Sequence, residues 1–187
     1  MNLISLFILA FLTENVVLTK FLGTCPLMGT SNKMKSALGM GIAVTMVTVL
    51  SSLICFLIYY YILVPSNVTY LKTVTFILVI ASLVQIAEIV IKNKMPKLHK
   101  EFGIYLPLIT TNCMVLGSIL LGISNEYNLV EMLVFSFGSS LGFTVILYLF
   151  ASIRERLEVA NVPISLKGFP ISLITIGLIA IIFSRLI

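Results

Sequence analysis

Two cysteines stand in matched settings, Phe21-Leu22-Gly23-Thr24-Cys25-Pro26-Leu27-Met28-Gly29 and Ile109-Thr110-Thr111-Asn112-Cys113-Met114-Val115-Leu116-Gly117. They lie 88 residues apart in a chain of 187, and each is followed by a glycine four positions on. Thiolates act as nucleophiles, as redox pairs or as ligands for soft metals. Pro26 has no N–H, which suits the first position of a new helix segment. The free N–H groups and positive dipole end of such a segment favour a thiolate or an anionic cluster. Thr111 and Asn112 place capping oxygens beside Cys113, and Pro107 interrupts the segment that approaches it. On these residues alone three readings stay open: small packing residues, a dithiol switch, or metal ligation. Ligation carries its own arithmetic. Two thiolates do not complete a zinc or iron–sulfur site, and His99 lies in a basic loop, so a second subunit would have to donate the rest. Cys55, within the apolar run Ser51-Ser52-Leu53-Ile54-Cys55-Phe56, reads as a small buried hydrophobe.

The elements that must position these thiols are membrane helices. Hydrophobic residues make up 59% of the chain, only 10% is charged, and the mean hydropathy is +1.16, outside the range of soluble domains. Apolar runs near 20 residues recur along the sequence, which predicts a single polytopic membrane domain over 1–187. Three cysteines exclude a small secreted disulfide framework. The first segment has no basic region or small-residue cleavage site and is expected to remain as a span. The net charge of +5 is a topology signal, and nucleic-acid binding is excluded by where the positives sit. Helix-breaking sequence at membrane depth is costly unless it faces protein or a cavity, so paired breaks at the cysteines point to a site.

Six spans are predicted, at about 3–22, 37–63, 70–91, 103–122, 131–151 and 169–186. Pro65-Ser66-Asn67 and Asn125-Glu126-Tyr127-Asn128 mark turns between them. Nine positives fall in alternate loops: Lys33 and Lys35, then Lys92, Lys94, Lys97 and Lys100, then Arg154, Arg156 and Lys167. The other loops hold almost none, so both termini are expected on the non-cytoplasmic side. Three spans per half force the second half to insert upside down, giving an all-α fold of two inverted three-helix repeats, approximately 1–95 and 96–187. Glu14 precedes Cys25 by eleven residues and Glu101 precedes Cys113 by twelve; each half then carries glycines, Gly39 and Gly41 or Gly138 and Gly142, that allow close helix approach. Cys113 lies about eleven residues into its span, near the midplane at ~1.5 Å per residue, and pseudo-symmetry brings Cys25 to the same depth.

Glu14 and Glu88 are candidates for an ion path, because intramembrane carboxylates are expensive and often functional. Lys20 would either balance charge near Cys25 or snorkel to an interface. The Arg154-Glu155-Arg156-Leu157-Glu158 run reads as a helix-end anchor, and Tyr59, Tyr60 and Tyr61 as an interfacial aromatic belt.

Three stretches carry a family resemblance over essentially the whole chain. They are Glu14-Asn15-Val16-Val17-Leu18-Thr19-Lys20-Phe21-Leu22-Gly23-Thr24-Cys25-Pro26, Leu106-Pro107-Leu108-Ile109-Thr110-Thr111-Asn112-Cys113 and Ala151-Ser152-Ile153-Arg154-Glu155-Arg156-Leu157. They resemble the RnfA/NqrE family of membrane subunits. The resemblance implies an inner (cytoplasmic) membrane subunit of the Rnf ferredoxin:NAD⁺ oxidoreductase, which couples electron transfer to Na⁺ or H⁺ movement. It implies one [2Fe-2S] cluster shared with a homologous RnfE-like subunit, each chain giving two cysteines, here Cys25 and Cys113. Gly23, Thr24, Pro26, Gly29, Thr111, Asn112 and Gly117 would surround it. Flavin, further iron–sulfur and NAD sites would belong to other subunits, in keeping with the lack of a nucleotide fingerprint here. An NqrE-like subunit of a sodium-pumping quinone reductase is the near alternative, and a secondary transporter with broken helices the more distant one.

Overall fold

The computed structural model describes residues 3–13, 15–31, 34–66, 68–94, 108, 111–159, 163 and 166–186. Every regular element among them is helical. Helix α1 (Leu3–Ile8) runs on into a π-helical stretch, Leu9–Thr13, and is followed by two short helices, α2 (Val16–Lys20) and α3 (Thr24–Thr30). Then come α4 (Met34–Ile58, extended as a π-helix through Leu63), α5 (Lys72–Lys94), α6 (Cys113–Ser124), α7 (Leu129–Val159) and α8 (Phe169–Leu186).

Among the described residues three helices are long and apolar enough to cross a bilayer: Ser36–Leu63, Thr69–Ile86 and Leu129–Leu157. Leu3–Leu12, Cys113–Ser124 and Phe169–Phe183 are shorter apolar helices. The predicted spans at 37–63, 70–91, 131–151 and 169–186 each coincide with a helix, while most of 103–112 lies outside the described residues. The predicted first span at 3–22 is not one helix. Asn15, 4% exposed, turns its side chain onto the Val17 N–H at 3.2 Å and starts α2 afresh. Phe21 then adopts the left-handed region at φ 54°, and Gly23 follows at φ 91°. Asparagine competes with the helix ladder for backbone donors, so the segment breaks twice where hydropathy alone reads one span.

Helix α7 organises the interior. At about 1.5 Å per residue its 31 residues reach about 46 Å, more than the ~30 Å hydrocarbon core, and the charged run from Arg154 sits at its far end. At its N-terminus Glu131 Oε2 accepts the Asn128 N–H at 3.0 Å, one of the two bonds of a capping box. Gly138 and Gly142 face the first helix, where a Cβ would lie 3.2 Å from Phe7 O and 2.9 Å from Phe11 O. Backbone thus meets backbone, as the small-residue spacing predicts. On another face Thr144 fills the space over Gly41 of α4, and its hydroxyl lies 3.5 Å from Thr45 Oγ1. Phe76, Phe135, Phe143, Phe150, Met40 and Leu27 are fully buried around these contacts, and Cys55 joins them at 0% exposure. Some buried hydroxyls bond within their own helices, as Thr48 donates to Val44 O at 2.7 Å and Ser118 to Val115 O at 3.0 Å. Ile4, Met46, Tyr61, Val74 and Ile181 point outward. Tyr60 and Tyr61 are exposed at the end of α4, whereas Tyr59 turns inward towards Phe76.

Candidate functional site

Both cysteines occupy the first turn of a helix. Cys25 is the second residue of α3, whose N-cap is Gly23, and Cys113 is the first residue of α6, whose N-cap is Asn112. Pro26 is therefore the third helical residue instead of the first. It sits in the first turn, where its missing N–H costs nothing. Helix α3 starts two residues early because Gly23, at φ 91°, turns the chain directly before Thr24. Asn112, 3% exposed, accepts the Met114 N–H at 3.0 Å with its side chain, while its buried Nδ2 has no hydrogen-bond partner among the described residues.

The two motifs form one unit. The Gly23 N–H donates to Cys113 Sγ at 2.9 Å, joining the N-cap of one cysteine helix to the thiol of the other. Gly23 also fills a narrow gap, since a Cβ there would lie 2.9 Å from the Phe143 ring and 3.1 Å from Met114 Cβ. Around this bond the contacts are reciprocal. Leu22, before Cys25, packs over Gly117, where a Cβ would come within 2.5 Å of it. Leu108, before Cys113, packs over Gly29, where a Cβ would come within 2.8 Å of it. Each glycine four residues after a cysteine thus receives a leucine from the other motif.

Exposure divides the pair. Cys25 is exposed at the surface of the chain, and Cys113 is half-buried. Thr24 reaches back to Phe21 O at 3.4 Å, Pro26 is buried, and Thr30 donates to Pro26 O at 2.7 Å. Thr111 is exposed one residue before the Asn112 cap. Lys20 is exposed in the last turn of α2, where a cation complements the helix dipole. Among the described residues no three of His, Cys, Asp and Glu come together as a metal site. Glu14, Glu101 and His99 lie outside the described residues, as does the side chain of Glu88 on α5.

One partner of the site escapes sequence reasoning. Arg154, expected only as part of a helix-end anchor, places Nη1 at 2.8 Å from both Met28 O and Ser31 Oγ. It closes the C-terminal end of the helix that carries Cys25. Nothing near Cys25 in sequence signals an arginine more than a hundred residues away.

A family model described as "Rnf-Nqr subunit, membrane protein" matches residues 3–187. The chain belongs to this family. It is 51% identical over 183 residues, 98% of this chain and 95% of the relative, to the A-subunit of the Na⁺-translocating ferredoxin:NAD⁺ oxidoreductase complex of Acetobacterium woodii. Against the A-subunit of the ion-translocating oxidoreductase complex of Syntrophotalea carbinolica it is 50% identical over 182 residues, 97% of this chain and 94% of the relative. The corresponding protein of Aeromonas hydrophila is 49% identical over 172 residues, 92% of this chain and 89% of the relative. This Rnf-Nqr protein is therefore a membrane subunit whose relatives match it nearly end to end.

Proposed function

We propose that the chain is the RnfA-type subunit of an ion-translocating ferredoxin:NAD⁺ oxidoreductase, passing electrons across the membrane through a [2Fe-2S] cluster shared with a homologous RnfE-like subunit. The observation that carries this reading is the Gly23 N–H bond to Cys113 Sγ, which gathers two thiol-bearing helix starts into one place. The names of the relatives support the ferredoxin:NAD⁺ branch over the quinone-reductase alternative. They also support coupling to ion movement, the ion being Na⁺ in the Acetobacterium woodii relative; Na⁺ or H⁺ is the reading for this chain.

The residues fit such a group. An iron–sulfur cluster takes four thiolates, and Cys25 and Cys113 supply two. Exposure of Cys25 at the chain surface suits a site completed across a subunit boundary. The orphaned Nδ2 of Asn112 is a buried donor on the residue before Cys113, and an anionic acceptor within reach would satisfy it. Bound there, the cluster supplies one-electron transfer. With the cluster bound, the Gly23 N–H would steady the Cys113 sulfur, and the helix starts at α3 and α6 that carry the two cysteines would favour its negative charge. Flavin, other iron–sulfur and NAD sites belong to other subunits.

The same reading holds six crossings in the cytoplasmic membrane, in inverted halves near 1–95 and 96–187, with both termini non-cytoplasmic. The reciprocal leucine–glycine contacts support a two-fold relation between the halves. Glu14 and Glu88 remain its candidates for the ion path.

The test is electron paramagnetic resonance and iron analysis of the purified complex. Cys25→Ser and Cys113→Ser should each abolish one [2Fe-2S] signal while flavin and the remaining iron persist. Full iron content and unchanged spectra in both variants would overturn the cluster assignment. Reporter fusions at either terminus should read non-cytoplasmic; a cytoplasmic reading would overturn the orientation.

A further inference from the structure

We propose that Arg154 is the positioning residue of the Cys25 helix: it fixes α3 from its C-terminal end and so sets where the Cys25 thiol stands. The inference rests on the cluster reading for its consequence, though its geometry stands apart from it.

Helix α3 has seven residues, and its N-cap, Gly23, offers no side-chain hydrogen bond. An isolated helix of that length does not hold itself together, because nucleation is costly and few bonds follow it. Its last carbonyls have no intrahelical donor. The guanidinium of Arg154 meets this deficit. Nη1 donates at 2.8 Å to Met28 O, in the last turn, and at 2.8 Å to the hydroxyl of Ser31, the C-cap. Ser31 is 1% exposed, so this end of α3 is enclosed by protein. A cation at a helix C-terminus also complements the dipole.

The same helix α7 holds the other end of α3. Phe143 lies against Gly23, within 2.9 Å of where a Cβ would stand. Phe143 and Arg154 are eleven residues apart on α7, a rise of about 16 Å, enough to bracket two turns of helix. Cys25 lies between these two grips and is itself exposed. Its position is therefore set from α7 and not by packing of its own side chain. Loosening Arg154 frees the C-terminal end of α3 without touching either cysteine.

The experiment uses the whole complex. In the Cys113→Ser background, maleimide labelling of Cys25, assigned by peptide mass, should run several-fold faster with Arg154→Gln than with Arg154. With both cysteines present, Arg154→Gln should lose the cluster iron to a chelator several-fold faster, less than the about 10–100-fold in affinity that a direct hydrogen-bond partner of a metal ligand is worth. Its resonance signal should also shift or broaden. Arg154→Lys should recover part of the loss. Ser31→Ala should show a smaller effect that does not add to Arg154→Gln, because the two share one contact. Labelling and iron loss at the rates of the unaltered complex in Arg154→Gln would overturn the proposal. So would equal loss of flavin and of all other iron, which marks a general assembly defect. If Arg154→Gln does not assemble, Arg154→Lys and Ser31→Ala decide by the same two rates. Should Cys25→Ser retain the cluster signal, the cluster reading falls while the labelling rates still judge the grip on α3.

Discussion

Replacing Gly23 by alanine tests the centre of the site without removing a thiol. The residue sits at φ 91°, and the added methyl would meet the Phe143 ring at 2.9 Å and Met114 Cβ at 3.1 Å. Left-handed backbone costs an L-residue about 1–2 kcal/mol, and overpacking a filled gap costs about 1–3 kcal/mol more. Backbone movement away from Phe143 relieves both, and that movement lengthens the 2.9 Å bond from Gly23 N to Cys113 Sγ. A hydrogen bond to a charged group is worth about 1.5–3 kcal/mol. Donors to a ligand sulfur favour the reduced, more negative state, so losing about 1 kcal/mol of that preference lowers the midpoint potential. At 59 mV per factor of ten for one electron, the shift is about −40 mV. Redox titration followed by electron paramagnetic resonance on the intact complex measures it. Gly117→Ala is the matched comparison, because its methyl meets only the flexible end of Leu22; its shift should be the smaller. A Gly23→Ala complex with an unchanged potential would refute the claim that this N–H tunes the Cys113 sulfur.

Two further outcomes follow from the packing. Gly142→Leu should lower subunit stability by at least about 1–3 kcal/mol and reduce assembled complex in membranes, since its side chain would start 2.9 Å from Phe11 O; Gly177→Leu, with nothing within 4 Å, should not. Cys55→Ala should keep full iron content and cost about 1 kcal/mol of stability in a denaturant titration, because Cys55 is fully buried in the core.

Legibility follows the kind of force involved. Long uncharged runs such as 36–71 announce their helices, because partition into lipid depends on composition over many residues. The cysteine motifs are legible as a pair because their glycines and polar neighbours repeat at matched spacing. The breaks are harder to read. Hydropathy averages over Asn15, yet one buried amide capping Val17 ends a helix. Pro26 marks the right turn but not its first residue, because the left-handed Gly23 has already restarted the chain. Arg154 illustrates the other gap: its charge places it at a helix end, but its partner carbonyl lies in the third helix of the chain. Pairings of that kind are decided by tertiary packing, and no local pattern records them.

The reciprocal seating of Leu22 on Gly117 and Leu108 on Gly29 also dictates an order of manufacture. The acceptor for the Gly23 N–H is synthesised 90 residues after its donor, about 4 to 18 s later at ~5–20 residues per second. Until then the broken first segment has neither its leucine partner nor its hydrogen-bond acceptor, and Arg154 has not yet been made. A ribosome stalled before Cys113 therefore exposes a half-built socket. If the proposed cluster is bound by Cys25 and Cys113, its iron can be held only once both halves are in the membrane together.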